Sequence, residues 1–102
     1  MTQSTESIAE LSARAELIAV AVPIAEGRIP GFRVNVYRVI ELLWGNWPYP
    51  TIDLLSRMKE EPGQAGKCLL FAECSREPVH WQAIALLPAT PARLKEVRRL
   101  LR

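Results

Sequence analysis

The sequence predicts one small α+β domain, with helices packed on one face of a small antiparallel sheet. Its 102 residues leave room for a single core, so we treat residues 1–102 as one domain. Apolar residues recur at helical spacing near both ends of the chain, and two apolar runs of strand length follow each other in its second half. These two runs are rich in Ala and Leu, which favour helices, so an all-α bundle is the alternative.

The first predicted element is a helix that begins near Ser7. Ser7 and Glu10 fit a capping box, in which each residue bonds an amide that the helix leaves free. Pro23 cannot donate a helical hydrogen bond and ends or kinks the helix near Val22, although Leu17–Val22 could instead be a strand. Apolar residues at steps of three and four follow the cap and predict a stripe that two copies could bury against each other in a homodimer. The stripe consists of Ile8, Leu11, Ala15, Ile18 and Val22.

The middle of the chain is ambiguous. Gly27–Gly31 predicts a break. Phe32–Trp44 fits a helix over most of its length and a strand at its start, where Phe32, Val34 and Val36 alternate. Residues 46–50 hold two prolines and predict a loop, after which a helix begins at Pro50 or Thr51 and ends before Pro62.

A β-hairpin and a helix complete the prediction. Lys67–Cys74 and Val79–Leu87 are the two strands, joined by Ser75–Pro78. Alternation places one set of side chains of the second strand on a common face: Val79, Trp81, Ala83, Ala85 and Leu87. Thr90 and Pro91 then start a C-terminal amphipathic helix.

Several observations indicate the cytoplasm. The first residues are polar and acidic, unlike a secretory signal, and the longest apolar run, Leu17–Ala25, is too short to cross a bilayer. Cys68 and Cys74 are six positions apart on one predicted strand, or roughly 20 Å, which is beyond the reach of a disulfide. We therefore expect reduced thiols and no membrane association.

No catalytic or metal-binding constellation is visible, so we expect neither an enzyme nor a cofactor. His80 forms an evenly spaced set with Cys68 and Cys74, but structural zinc needs four ligands in closely spaced pairs. The five glycines are scattered and form no phosphate-binding loop. The net charge of +2 is too small to indicate a nucleic-acid partner by itself.

Two further surfaces are candidates for binding a partner. Trp44, Trp47 and Tyr49 crowd into a proline-rich loop, where rigid rings could form a recognition patch, although we expect at least two of them to fold inward. The C-terminal helix carries a basic face that could pair with acidic groups or hold phosphates. That face consists of Arg93, Lys95, Arg98, Arg99 and Arg102.

Val39–Trp44 and Thr51–Met58 resemble the first two helices of a winged-helix DNA-binding domain, with Lys67–Leu87 in the position of the wing. The recognition helix would fall at Lys59–Gly66, where one proline and two glycines make a helix unfavourable, so we do not assign the family. We instead expect a non-enzymatic protein-interaction module, such as an adaptor, inhibitor or small regulator. The alternatives are a DNA- or RNA-binding regulator that uses the basic helix and a non-catalytic subunit of a larger enzyme.

Overall fold

The computed structural model describes residues 7–57, 66–76 and 79–101, which form a closed five-stranded β-barrel with two short helices. The predicted α+β sheet and the alternative all-α bundle are both wrong, because strands build most of the chain and close on themselves. The elements are α1 (Ile8–Arg14), β1 (Leu17–Ile29), β2 (Phe32–Trp44), β3 (Thr51–Arg57), β4 (Cys68–Arg76), β5 (Val79–Pro88) and α2 (Pro91–Leu100).

The strand order around the barrel is β1-β2-β3-β5-β4, and β4 pairs with β1 to close it. All neighbours are antiparallel except β3 and β5, which pair in parallel at Leu54 and Trp81. The strand order resembles that of five-stranded Greek-key barrels of the OB type. β1 pairs with both β2 and β4. Its pairing with β2 contains three register shifts, and such irregularities allow a strand to bend.

The first predicted helix is correct only at its start. The capping box is present: the Glu10 amide donates to the Ser7 hydroxyl at 3.2 Å, and the Ser7 amide donates to the Glu10 carboxylate at 3.1 Å. However, the helix ends at Arg14 and the chain becomes extended, so Leu17–Val22 is a strand, as the alternative interpretation held. This stretch is buried on both faces, and a continuous apolar run does not distinguish a buried strand from a helix.

The two helices expected in the middle of the chain are also strands. Phe32–Trp44 forms β2, which pairs with β1 on one side and β3 on the other, and Thr51–Arg57 forms β3. The alternation at the start of β2 was therefore the correct signal. The winged-helix resemblance fails, because its first two helices are absent; nearly all of Lys59–Gly66 lies outside the described residues.

The predicted hairpin is confirmed: β4 and β5 are antiparallel, with Cys74 opposite Trp81. The predicted common face of β5 is wrong, because the pairing of β4 with β5 shifts register: Phe71 lies opposite Ala85, whereas the next residue, Ala72, lies opposite Ala83. On the two sides of this bulge, odd-numbered residues of β5 therefore point to opposite faces of the sheet. Trp81 consequently packs against the barrel interior, whereas Leu87 packs on the side of the helices.

The core has two layers that share β1 and β4. The barrel interior is filled by Leu17, Ala19, Ala21, Tyr37, Ile52, Leu54, Cys68, Leu70 and Ala72. The second layer joins the helices to the outer side of the barrel, and its buried residues are Leu11, Ala15, Ile18, Leu69, Phe71 and Val97. α2 begins at the predicted place, where the Arg93 amide donates to the Thr90 hydroxyl at 3.3 Å and Pro91 occupies the first turn.

Candidate functional site

The two helices cover only one side of the barrel. Their apolar side chains pack on Ile18 of β1, on Leu69 and Phe71 of β4 and on residues of β5. In the part of the chain that the structure describes, no helix packs on the outer side of β3 or of residues 32–38 of β2, whereas Leu43 near the end of β2 contacts the helical layer. We call the outer side of β1 (residues 22–29), β2 (32–38) and β3 (51–57) the open face.

The strand register determines which residues share the open face. Tyr37 is buried in the barrel, so alternation turns its neighbours Val36 and Arg38 outward. Cross-strand partners then form four rows across the three strands. From the β1–β2 turn downward, the rows are Ile29–Phe32, Gly27–Val34–Leu55, Ala25–Val36–Asp53 and Val22–Arg38–Thr51.

The open face is apolar at its centre and charged towards its lower end. Val34, Val36 and Leu55 are half-buried, while Ile29 keeps 45% of its surface exposed. Arg38 and Asp53 are exposed towards the lower end. The centre of the open face is therefore an apolar surface with charged groups beside it.

Two aromatic rings bring the start of β2 close to the start of β5. Phe32, the first residue of β2, and His80, near the start of β5, have ring centroids 6.0 Å apart and planes inclined by 58°. The β1–β2 turn passes through Pro30 and Gly31, where Gly31 has a φ of 84°. Only glycine adopts this backbone conformation without strain.

The predicted aromatic loop is present at the other end of the barrel, but it is only partly buried. The Trp47 indole donates to the Thr51 carbonyl at 2.8 Å, and its ring meets Tyr49 and Trp81 edge-on at 5.2 and 5.8 Å. Trp44 and Tyr49 remain 49% and 61% exposed. The expectation that at least two of the three rings fold inward is wrong, because Trp47 alone packs against the barrel interior.

Trp44 lies beside an open groove of 490 Å³ that is lined by residues 42–46. Gly45 shapes the turn after it, with a φ of 93°. A Cβ at Gly45 would lie 2.5 Å from the carbonyl oxygen of Glu16, so the turn is pressed against the start of β1. No local sequence pattern predicts this contact, because it joins segments that are far apart in the chain.

The predicted basic residues of α2 do not form one uniform patch. Arg98 donates from Nη2 to both carboxylate oxygens of Glu41, at 2.8 and 3.0 Å, and Arg93 donates to the Pro88 carbonyl at 3.4 Å. Lys95 and Arg99 are exposed, and neither forms an ion pair with a described residue. Arg102 lies outside the described residues.

The predicted dimer stripe does not lie on one helix, because α1 ends before Ala15. Leu11, Ala15 and Ile18 are buried within the chain itself. Ile8 and Val22 are half-buried, and Val22 belongs to β1. Four of the five residues therefore belong to the core of a single chain or pack against it, whereas Val22 lies on the open face.

The described side chains include two cysteines, one histidine and several carboxylates, the residue types that bind metal ions. Among them, no group of three or more His, Cys, Asp or Glu residues could hold a metal ion. Cys68 and Cys74 both lie on β4 and are free thiols, as predicted. Burial raises the pKa of the Cys68 thiol to about 11, so this buried group stays protonated and is a poor nucleophile.

The open face is the surface that sequence reasoning missed. Its signal was the alternation of Phe32, Val34 and Val36, which the longer helical spacing of 32–44 obscured. The chain matches no protein-family model, no curated protein and no solved structure. In the ranges 7–57, 66–76 and 79–101, no helix has the length and apolar character that crossing a membrane requires.

Proposed function

We propose that this chain is a non-enzymatic interaction module that binds another protein through the open face. The observation that carries the proposal is the block of cross-strand apolar neighbours at its centre, formed by Val34, Val36 and Leu55. Contiguous apolar surface with polar groups at its margin is typical of protein-binding sites. Arg38 and Asp53 at the lower end supply the polar margin and would orient the partner.

The aliphatic character of the open face favours a protein over a nucleic acid. Single-stranded nucleic acids are held by aromatic rings that stack on bases and by cations that track the phosphates. Phe32 is the single aromatic residue in the four rows, and Arg33, which projects from the opposite side of β2, is 3.0 Å from the Glu26 carboxylate.

A second candidate function is the binding of single-stranded nucleic acid. It is favoured by the strand order, because barrels of the OB type bind oligonucleotides on the face of their second and third strands, between the β1–β2 and β4–β5 turns. Phe32 follows the β1–β2 turn directly and its ring lies 6.0 Å from that of His80, near the start of β5. Fold alone does not establish function, so this candidate ranks second.

The cytoplasm remains our proposal for the location of the protein. Its support is that Cys68 and Cys74 are free and lie on the same strand. Free thiols are typical of reducing compartments.

A pull-down with one added charge tests the proposed function. Purified wild-type chain is immobilised and exposed to a lysate of its source cells, beside the Val36→Lys variant. We expect a protein that wild type retains and Val36→Lys loses, because the ammonium group would be desolvated in the contact. Ala92→Lys adds the same charge on the exposed surface of α2 and should retain that protein. Binding of the purified partner is then measured by titration.

The same variants separate the two candidate functions. If the open face held nucleic acid, Val36→Lys would strengthen retention of a single-stranded oligonucleotide, and Phe32→Ala would weaken it. Equal retention of all proteins by wild type, Val36→Lys and Ala92→Lys would show that the open face is not the binding surface.

A further inference from the structure

The second half of β1 has an edge that could receive another strand. β1 pairs with β4 only from Leu17 to Ala21, whereas beyond Ala21 it pairs with β2 alone. Within residues 7–57, 66–76 and 79–101, no strand occupies the other side of β1 between residues 22 and 29. An unpaired edge presents backbone amides and carbonyls that can pair with a strand of another chain.

Two prolines limit the length of this edge. Pro23 and Pro30 lack the amide hydrogen that a ladder needs, so pairing is confined to the residues between them. Ile24 and Ile29 stand near the two ends of this stretch and are 51% and 45% exposed. The edge is therefore short, apolar at its ends and suited to one additional strand.

The charged residues in the centre of the edge are not fully paired among the described residues of a single chain. Arg28 lies directly opposite Arg33 on β2, an unfavourable pairing of like charges. Glu26 forms its ion pair with Arg33, at 3.0 Å, and its side chain is still 50% exposed. Arg28 is exposed and forms no ion pair with a described residue. An acidic group beyond the edge would complete this arrangement.

We propose that two copies of this chain form a dimer by pairing their β1 edges antiparallel, centred on Gly27. In that register Glu26 of each copy faces Arg28 of the other, which gives two symmetric ion pairs. Ala25 of each copy faces Ile29 of the other on the outer side and covers part of its exposed surface. The partner is a second copy because the sequence around Gly27 is complementary to itself when it runs in the opposite direction.

This dimer differs from the one predicted from the helical stripe, whose central residues are buried in the core. It also leaves the apolar centre of the open face accessible, and it joins the two open faces along one six-stranded sheet. The interface is small and consists mainly of one strand pair, so we expect reversible association that weakens as salt screens the ion pairs.

Sedimentation of the full chain with exchanged charges tests this proposal. Over about 1 µM to 1 mM, a range that spans weak association, we expect wild type to shift from monomer to dimer. Glu26→Arg or Arg28→Glu alone should raise the dissociation constant roughly tenfold, because each puts like charges opposite each other twice. The double variant should return to nearly the wild-type value, since the exchanged charges face each other again. Within each chain, the carboxylate introduced at position 28 then lies opposite Arg33.

Lys95→Glu makes a charge change of the same size on α2 and should leave the dissociation constant unchanged. A monomer at all concentrations would overturn the proposal, as would a dimer that the single variants do not weaken. Failure of the double variant to restore association would also overturn it.

A crosslink tests the same register without altering charge. Nothing lies within 4 Å of a Cβ built at Gly27, so Gly27→Cys in a Cys74→Ala background should fold. Directly opposed positions of an antiparallel pair are close enough for a disulfide, and mild oxidation should yield covalent dimers. Ala92→Cys in the same background should yield few; equal yields from both variants would contradict the proposed register.

Discussion

The indole of Trp47 meets the ring of Trp81 edge-on, with centroids 5.8 Å apart. Trp47 belongs to the loop between β2 and β3, whereas Trp81 lies on β5. The contact therefore ties the loop to the region where β3 and β5 pair, which among the described residues they do at Leu54 and Trp81 alone. It supports the barrel where its backbone pairing is shortest.

Replacing Trp47 should destabilise the barrel in two measurable steps. Trp47→Phe removes the hydrogen bond to Thr51 and should cost about 1 kcal/mol of unfolding free energy. Trp47→Ala also removes the contacts with Trp81 and Tyr49 and should cost about 2–3 kcal/mol, since the ring is half-buried. Urea denaturation measures both. The control is Trp44→Ala, which should change the unfolding free energy by no more than about 0.5 kcal/mol. An equal effect at both tryptophans would contradict the anchoring role of Trp47.

Gly45 and Gly31 should respond differently to alanine. Both have positive φ, so each substitution should cost about 1 kcal/mol in backbone strain. At Gly45 the added methyl group would also lie 2.5 Å from the Glu16 carbonyl oxygen, whereas at Gly31 nothing lies within 4 Å. We therefore expect Gly45→Ala to lower the midpoint of thermal unfolding more than Gly31→Ala. The reverse order would show that the turn at Gly45 moves freely away from β1.

Arg98 and Arg99 form a matched pair for measuring the ion pair with Glu41. Arg98→Gln should lower the unfolding free energy by about 0–1 kcal/mol, because the ion pair joins two half-exposed side chains. Arg99→Gln should have no measurable effect. Repeating the denaturation at high salt should reduce the difference between the two variants. If the two residues instead hold phosphates, both substitutions should weaken nucleic-acid binding and reduce its salt dependence by roughly one unit of log–log slope each.

Alkaline pH should destabilise the protein through two groups inside the barrel. Burial raises the pKa of Cys68 from 9.0 to about 11, and burial followed by the neighbouring Cys68 thiolate raises the pKa of Tyr37 from 10.0 to about 12. Both groups lose their protons more readily in the unfolded chain. Their contribution is therefore fully present below pH 9 and is lost as the pH rises from about 9 to about 12.

Cys68→Ala should remove the lower part of this alkaline transition. The variant will be less stable at neutral pH because it leaves a small cavity, yet its unfolding free energy should fall less between pH 9 and pH 11 than that of wild type. Cys74→Ala is the control, since Cys74 is half-buried near the end of β4. Identical pH dependence in wild type and Cys68→Ala would rule out Cys68 as a source of the transition.

Local chemistry was predictable from the sequence, whereas the closure of the barrel was not. The capping box at Ser7, the cap at Thr90 and the β4–β5 hairpin each depend on residues close together in the chain, and all three are confirmed. Of the three strands assigned to helices, β1 and β2 contain register shifts that break strict alternation and produce apolar spacing like that of a helix, whereas β3 pairs with β2 without a shift. Their strand character depends on pairing with distant segments, which a local pattern does not reveal.

The candidate surfaces were predictable to different degrees. The composition of the loop identified Trp44, Trp47 and Tyr49, but which ring folds inward depends on Trp81, which lies far along the chain. The charges of α2 were apparent, but the partner of Arg98 depends on the position of Glu41 on a strand that was assigned as a helix. The open face depends entirely on the register of three strands.

The pairing of β1 with both β2 and β4 has a consequence for how the chain folds. β1 meets β2 across a turn of two residues, but it meets β4 only after β2, β3 and their connections have been made. The β1–β2 hairpin can therefore form on a microsecond timescale, on the order of 1–10 µs, whereas closure through β4 must first overcome the entropy of a long loop. We expect a slow folding step in which β4 docks beside a hairpin that is already formed. Until that step, the edge of β1 that later pairs with β4 is unpaired as well as the edge beyond Ala21. The unclosed chain is therefore the form most prone to aggregation.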